Sequence, residues 1–178
     1  ILAVRAASAG PDLPPAVHNA KLRAQLDEVA SFVENARRRA RGEGRCYRVI
    51  QSGADLQLQR RANADCVTPI GAALSGDGWE VVAATLRPQP AFTFTLQSVP
   101  NDLVFRPSGR VRGDGDLDIV DDGARVVIQY ARLPAKHVEI LVTSQGRLCP
   151  TINSGAPGEM AMPVVCGTGY GTTGGAGF

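Results

Sequence analysis

The sequence has little of what enzymes and membrane-spanning chains usually need. Its 178 residues contain two histidines, one tryptophan and two methionines. A bilayer-spanning helix needs about 20 predominantly apolar residues. In the opening stretch, "ILAVRAASAG", the apolar run is interrupted at Arg5 and is lost by Gly10 and Pro11. We therefore expect that nothing in this chain spans a bilayer alone.

The chain begins without Met and shows no complete signal peptide, which would join a basic region, an apolar region and small residues. We expect any targeting segment to have been removed or to lie upstream.

A strong charge of either sign is also missing. The formal net charge is +2, from 19 Lys and Arg residues against 17 Asp and Glu residues. A dedicated binder of nucleic acid usually shows a clear basic excess or a clustered basic stripe. Composition therefore argues against binding over the whole surface, and any contact with nucleic acid has to come from a local patch. The length fits one domain with a substantial core.

Catalytic signatures are absent from the sequence as well. The two histidines, His18 at the start of a helix and His137 at the start of a strand, leave few places for a His-dependent triad. The sequence has no G-x-S-x-G elbow, no P-loop and no dinucleotide-binding fingerprint. A hydrolase would have to gather Asp114 or Glu80 with His137, and nothing in the sequence predicts that pocket. We predict a protein that is not an enzyme and that has no cofactor.

One acidic stretch, "DGDLDIVDDG", begins like a calcium-binding loop. Its carboxylates are those of Asp114, Asp116, Asp118, Asp121 and Asp122. Carboxylates at alternate positions offer the hard oxygen ligands that Ca²⁺ prefers. An EF-hand loop then requires Gly where this chain has Ile119, and a bidentate Glu where it has Arg125. We interpret the stretch as a solvated loop and predict no metal site, and the alternative is a calcium-binding loop.

The four cysteines, Cys46, Cys66, Cys149 and Cys166, are widely spaced, and none forms the C-x-x-C pair typical of zinc and redox sites. The even number favours disulfides over metal and therefore an oxidising compartment. Four cysteines allow three pairings, and we favour the sequence-local one, Cys46 with Cys66 and Cys149 with Cys166. The alternative is four buried thiols in a cytosolic protein.

A helical pattern runs from Pro15 to Gly44. Apolar residues recur there at steps of three and four, which is the stripe of one amphipathic helix. They are Leu22, Leu26, Val29, Val33, Ala36 and Ala40. At about 1.5 Å per residue such a helix is about 45 Å long, so we expect part of it to project beyond the body. Its last turns carry Arg37, Arg38 and Arg39, followed by Arg41, and we interpret these as a solvated face that complements the helix dipole.

After Gly44 the period changes from helical to alternating. Short segments of alternating apolar and polar residues end at Gly, Pro, Asp or Ser clusters. They are RCYRVIQ, DLQLQRRA, WEVVAAT, AFTFTLQ, DLVFRP, DLDIV, RVVIQYA and HVEILVT. One long helix followed by seven or eight short strands predicts an α+β fold with an antiparallel sheet packed on the helix. Beyond Cys149 the periodicity is lost, and we expect a loop and a Gly-rich tail.

The order of these features resembles the type IV pilin-like proteins, and among them the minor pseudopilins and minor pilins of the GspH/FimT type. "ILAV", small residues and Pro11 resemble the second half of that family's membrane stretch, and "KLRAQLDEVASFVENARRRARGEGRCYRV" resembles its helix and first strand. "DLVFRPSGRV" resembles its strand and turn with Phe, Pro and Gly, and "VEILVTSQGRLC" its closing strand. The similarity covers residues 1–149. Arg5 departs from it where the family is apolar, and the processing-site Glu is absent.

The resemblance implies a pilin-like fold and a structural subunit. It divides the chain into a pilin-type helix with part of a membrane segment over residues 1–44, a β-rich head over 45–149, and a disulfide-closed loop and tail over 150–178. It implies partners that are other pilins or pseudopilins in a type IV pilus or a type II secretion filament. It also implies methylation and an inner-membrane stage before the periplasmic or extracellular filament.

A second function comes from the same resemblance. DNA-uptake minor pilins of the FimT type carry a Gly-Arg-x-Arg motif near the end of the head, where guanidinium groups grip phosphate oxygens. This chain has "GRVR" at 109–112 in a middle turn, and "GRLC" at 146–149 with Cys149 in place of the second Arg. Arg110, Arg112 and Arg147 are therefore candidate DNA-binding residues, and the alternative is surface arginines that flank turns. A tip adhesin that binds through the Cys149 to Cys166 loop is the other alternative.

Overall fold

A computed structural model describes residues 15–61, 66, 78–97, 102–112 and 124–154. This part of the chain contains one helix and nine strands. The elements are α1 (Pro15–Glu43), β1 (Tyr47–Ser52), β2 (Asp55–Arg61), β3 (Trp79–Leu86), β4 (Phe92–Gln97), β5 (Asp102–Phe105), β6 (Val111–Arg112), β7 (Ala124–Tyr130), β8 (Lys136–Val142) and β9 (Leu148–Ser154). Every strand pair is antiparallel. The α+β class with an N-terminal helix on antiparallel strands is confirmed.

Helix α1 follows the apolar stripe of the sequence. All six stripe residues are buried, and Val29, Val33, Ala36 and Ala40 are completely so. The helix ends at Glu43 because Gly44 takes the left-handed conformation, with φ 61°. The Arg45 amide then donates to the Ala40 carbonyl at 3.3 Å, which is the bond that closes a Schellman motif.

The strands form two sheets, and both sheets pack on α1. Sheet A has the order β3-β2-β1-β5-β6, and sheet B has the order β4-β7-β8-β9. The core lies between α1 and the inward faces of both sheets, where Val49 and Leu58 of sheet A and Ile128 and Ile140 of sheet B are completely buried. Two sheets replace the single sheet of the prediction because β4 pairs with β7 and not with a strand of sheet A.

The helix packs on the sheets along most of its described length. Burial of the stripe begins at Leu22 and continues to Ala40, and His18 contacts Tyr130 of β7 with Nδ1 3.1 Å from the phenol oxygen. The sequence predicts that part of the helix projects beyond the body, whereas the described helix packs on the sheets. The stretch that resembles a membrane segment, residues 1–14, lies outside the described residues. Within those residues, no helix combines the length and the hydropathy that crossing a bilayer requires.

Strand β9 corrects the expectation that regular structure ends at Cys149. Its seven residues, Leu148–Ser154, pair with β8 along their whole length, with Ile140 opposite Pro150. The sequence pattern hides this strand because it contains a proline, which sheets accept at an edge. Strand β9 is established by its pairing with β8, because its own residues do not alternate regularly between apolar and polar. The predicted strand DLDIV lies outside the described residues, and the division of the chain at residues 44 and 149 stays a prediction.

The side chain of Gln51 joins the two sheets. It extends from β1, where its Oε1 accepts a hydrogen bond from the Leu96 amide at 2.9 Å, and its Nε2 donates to the Phe94 carbonyl at 3.0 Å. The same Nε2 lies 3.3 Å from the Gly53 carbonyl. Leu96 and Phe94 present these groups on the edge of β4 that faces away from β7. The Gln51 side chain therefore forms the hydrogen bonds to this edge of β4 that a neighbouring strand would otherwise form.

We predict that Gln51→Ala lowers the free energy of unfolding by about 1–2 kcal/mol, because it removes hydrogen bonds and leaves the edge of β4 without them. The measurement is urea denaturation followed by circular dichroism. Gln97→Ala is the matched control, since Gln97 is exposed at the end of the same β4. Equal losses in the two variants would contradict the bridging role.

Candidate functional site: the helix end and two stacked turns

The first Gly-Arg copy lies in a tight turn between β5 and β6, which we call the first turn (residues 106–110). The Gly109 amide donates to the Arg106 carbonyl at 2.7 Å, and the Arg106 amide donates to the Arg110 carbonyl at 2.8 Å. Gly109 has φ 78°. This is a hairpin loop in which a type I turn is followed by a left-handed residue. Arg110 follows the glycine and is exposed.

The second Gly-Arg copy lies in a turn of the same construction between β8 and β9, which we call the second turn (residues 143–147). The Gly146 amide donates to the Thr143 carbonyl at 2.7 Å, and the Thr143 amide donates to the Arg147 carbonyl at 3.0 Å. Gly146 has φ 74°. Arg147 is exposed like Arg110. The two copies are therefore presented by equivalent backbone geometry.

The two turns are stacked on each other. The Val111 amide, directly after the first turn, donates to the Ser144 carbonyl of the second turn at 2.9 Å. A Cβ atom on Gly146 would overlap the carbonyl oxygen of Gly109. This contact joins sheet A to sheet B at the end where α1 terminates. The turns that carry Arg110 and Arg147 are therefore in contact, although the two arginines are far apart in the sequence.

The last turns of α1 pack against both glycines. The Arg37 Nε donates to the Gly109 carbonyl at 3.4 Å, and an Arg37 side-chain nitrogen lies 3.3 Å from the Glu34 carboxylate. The Arg41 side chain lies against the first turn, where a Cβ on Gly109 would be 2.6 Å from Arg41 Cδ. A Cβ on Gly146 would likewise be 2.9 Å from Arg37 Nε. Both glycines thus have a φ that favours glycine, and at Gly146 the backbone of Gly109 also leaves no room for a Cβ.

The site combines residues that the sequence predicts with residues that it does not. Arg110 and Arg147 are exposed on two turns that contact each other, and only the backbone of Arg112 is described, in β6 opposite Val104. The sequence pattern predicts a solvated helix face for Arg37 and Arg41. The structure shows that both also pack on the turns. Each lies in a helical pattern that explains it locally, so the sequence offers no signal for the contact.

A buried phenol lies at the same end of the helix. The hydroxyl of Tyr47 donates to the Glu43 carboxylate at 2.5 Å. Burial first, and then the hydrogen bond and charge of Glu43, raise the pKa of Tyr47 above its usual value. A phenol is protonated at neutral pH even without this shift, and this one holds the last residue of α1 onto the first residue of β1.

The other candidate residues are dispersed. Glu80 is in β3 of sheet A, where it pairs with Arg60 at 2.9 Å. His137 is buried in β8 of sheet B, with Nε2 3.0 Å from a Glu139 oxygen. His18 lies near the start of α1, and Asp114 is outside the described residues. Among the residues that are described, no group of three or more His, Cys, Asp or Glu side chains is placed to hold a metal ion.

A disulfide joins Cys46 to Cys66, with a Cα–Cα distance of 5.5 Å. It is the first bond of the favoured pairing, and it connects the residue before β1 to the segment after β2. Cys149 is also disulfide-bonded. Its expected partner, Cys166, lies outside the described residues, so the second pairing stays a prediction.

We predict that Gly146→Ala destabilises the protein more than Gly53→Ala does. Both glycines have positive φ, which costs an alanine about 1–2 kcal/mol. Nothing lies within 4 Å of a Cβ on Gly53, whereas a Cβ on Gly146 meets the backbone of Gly109. Thermal and urea denaturation of the two variants measure the difference, and equal losses would show that the stacked backbones separate at no cost.

Comparison with known proteins identifies the fold. No protein-family model matches the chain, and a search of curated proteins finds no relative. The minor pseudopilin EpsH of the type 2 secretion system of Vibrio cholerae aligns at 13% identity and a TM-score of 0.51, over 78% of this chain and 99% of EpsH. The type IV minor pilin FimU of Pseudomonas aeruginosa aligns at 16% identity and a TM-score of 0.47, over 78% of this chain and 92% of FimU. The match to EpsH carries the conclusion: the chain has the pilin-like fold of a minor pseudopilin.

Proposed function

We propose that the protein is a minor pilin or pseudopilin, a structural subunit without enzymatic activity that assembles into a type IV pilus or a type II secretion filament. The observation that carries this proposal is the fold match, which covers 99% of EpsH and 78% of this chain. A helix that packs on a head through one face leaves the other face for neighbouring subunits.

The described helix fits that role. Leu22 and Val29 face the core, while Val17 is 36% exposed and is one of two large apolar side chains exposed in the described part of the chain. Ala24 is exposed on the same helix. The proposal includes a stage before assembly in which residues upstream of Pro15, which lie outside the described residues, hold the subunit in the inner membrane. The Cys46–Cys66 disulfide supports a final location in the periplasm or outside the cell, because such bonds persist in oxidising compartments.

Site-specific cross-linking in the cells that make the protein tests this proposal. A photoreactive benzoylphenylalanine at Ala24, on the exposed face of α1, is expected to capture other pilin-like subunits, identified by mass spectrometry. The matched position is Thr95, which is exposed on β4 and should give a lower yield of those adducts. Adducts with unrelated proteins alone, or none from Ala24 in a folded protein, would overturn the filament function.

Binding of DNA is a second candidate function, and the stacked turns are the observation that favours it. They carry the exposed Arg110 and Arg147 on adjoining turns, and the exposed Arg41 lies against Gly109 of the first turn. Guanidinium groups bind phosphate oxygens through charge-assisted hydrogen bonds that do not depend on base sequence. A surface of this kind would give a weak, salt-sensitive contact with the DNA backbone.

We predict that the double variant Arg110→Ala/Arg147→Ala weakens DNA binding in a gel shift and lowers the slope of log affinity against log salt by about 2, one for each phosphate contact. Arg87→Ala/Arg132→Ala is the control, because it removes the same charge from two exposed arginines at the opposite ends of the sheets. Equal slopes in the two double variants, or no shift of DNA by the unchanged protein at low salt, would exclude this function.

A further inference from the structure

The first turns of α1 contact the strands less than the later turns do. These first turns, which we call the helix start (residues 15–21), precede Leu22, where burial of the apolar stripe begins. His18 and Asn19 of the helix start are half-buried. Its exposed side chains are those of Ala16, Val17, Ala20 and Lys21. The helix start therefore depends on few contacts for its place on the strands.

His18 attaches the helix start to sheet B. Its Nδ1 lies 3.1 Å from the hydroxyl oxygen of Tyr130 at the end of β7, and the centroids of the two rings are 5.6 Å apart. Tyr130 is stacked in turn on Phe92 at the start of β4, with ring centroids 4.4 Å apart. Among the described residues, this is the one hydrogen bond that a side chain of the helix start forms with a strand.

The same bond serves the phenol of Tyr130. Tyr130 is 5% exposed, and in the described part of the chain His18 is the hydrogen-bond partner of its hydroxyl. A buried hydroxyl that loses its partner is costly unless water reaches it. A hydrogen bond is also directional, so a movement of the helix start away from β7 breaks it and admits water in place of His18.

The helix is held more firmly from Leu22 onward. Leu22 and Leu26 are buried, and Gln25 between them is completely buried about two turns after His18. The Oε1 of Gln25 accepts a hydrogen bond from the Gln89 amide at 3.1 Å, just before β4. Polar and apolar contacts are thus combined at this point, whereas the helix start has the contact of His18.

The later half of α1 is fixed by burial of apolar side chains. Those that are completely buried are Val29, Val33, Ala36 and Ala40. Separating such a contact exposes apolar surface to water, whereas breaking one hydrogen bond exchanges it for a bond to water. Short helical segments without packing are marginal in water. We therefore expect the helix start to open at a lower free energy than the later turns.

We propose that the helix start is a latch, closed by the hydrogen bond between His18 and Tyr130, that unwinds from sheet B while the turns from Leu22 onward stay packed. The inference does not depend on the filament function. It gives His18 and Tyr130 the role of setting how often the start of α1 is released, so that the direction in which the chain enters the folded body changes without unfolding of the core.

Amide hydrogen exchange of the full oxidised protein, resolved by residue, tests the latch. The amides of residues 19–24, whose helical acceptors lie in or next to the helix start, are expected to exchange faster than those of residues 33–40. Tyr130→Phe keeps the ring on Phe92 and removes the hydroxyl, so it should raise exchange at 19–24 about fivefold, the weight of one hydrogen bond. One rate for both sets of amides in the unchanged protein would overturn the proposal.

Tyr47→Phe is the matched control, because it removes a phenol hydroxyl that bonds to Glu43 at the other end of α1. A latch that opens by itself leaves that bond intact. Tyr47→Phe should therefore lower the stability of the whole protein and leave exchange at residues 19–24 unchanged. A rise at 19–24 as large as that in Tyr130→Phe would show that the helix opens as one unit and would overturn the latch.

A double-mutant cycle tests whether the His18 bond closes the latch. In a His18→Ala background, Tyr130→Phe should change exchange at residues 19–24 by less than about twofold, because its bond has already been removed. Circular dichroism and the fluorescence of Trp79, the only tryptophan, report whether each variant folds. The same fivefold rise in both backgrounds would overturn the role of the His18–Tyr130 pair.

Discussion

The packing of one helix across two sheets is the constraint on which the rest of the structure depends. In the described residues, sheets A and B share no strand, and α1 contacts strands of both. Val29 and Val33 are completely buried in this contact, and burying a valine contributes about 1.5–3 kcal/mol. Because one apolar stripe serves both sheets, the helix also sets where they lie relative to each other. Gln51 and the stacked turns then join the sheets at two further points.

The end of the helix shows how this packing positions polar groups. Ala40 is small and completely buried, so the helix approaches the strands closely in its last turns. The neighbouring stems of Arg37 and Arg41 lie against Gly109 and Gly146. Arginine is suited to that place because its stem packs like an apolar side chain while its charged end stays in water. The arginines at the turns are thus part of the fold as well as of the surface charge.

The elements that depend on local periodicity are the ones that the sequence predicts. The stripe of α1 is buried throughout, and β4, FTFTLQ, alternates buried and exposed side chains along its whole length. Strand β9 and the division into two sheets escape prediction because both depend on which strands pair. The contact between Gly109 and Gly146 escapes for a related reason. Each turn is predictable alone. Their stacking depends on the bond between Val111 and Ser144, which are far apart in the sequence.

Several strands look half-exposed in the sequence although both of their faces are buried. Arg48 of β1 alternates with core residues and reads as solvent-facing, yet it is 3% exposed. It donates to Gln59 at 2.8 Å, pairs with Asp102 at 3.5 Å, and lies 4.4 Å from the ring of Trp79. Buried charges persist where partners satisfy them, and Glu139 of sheet B follows the same rule. Alternation therefore records which positions face the helix, and it does not reveal that the polar positions between them are interior too.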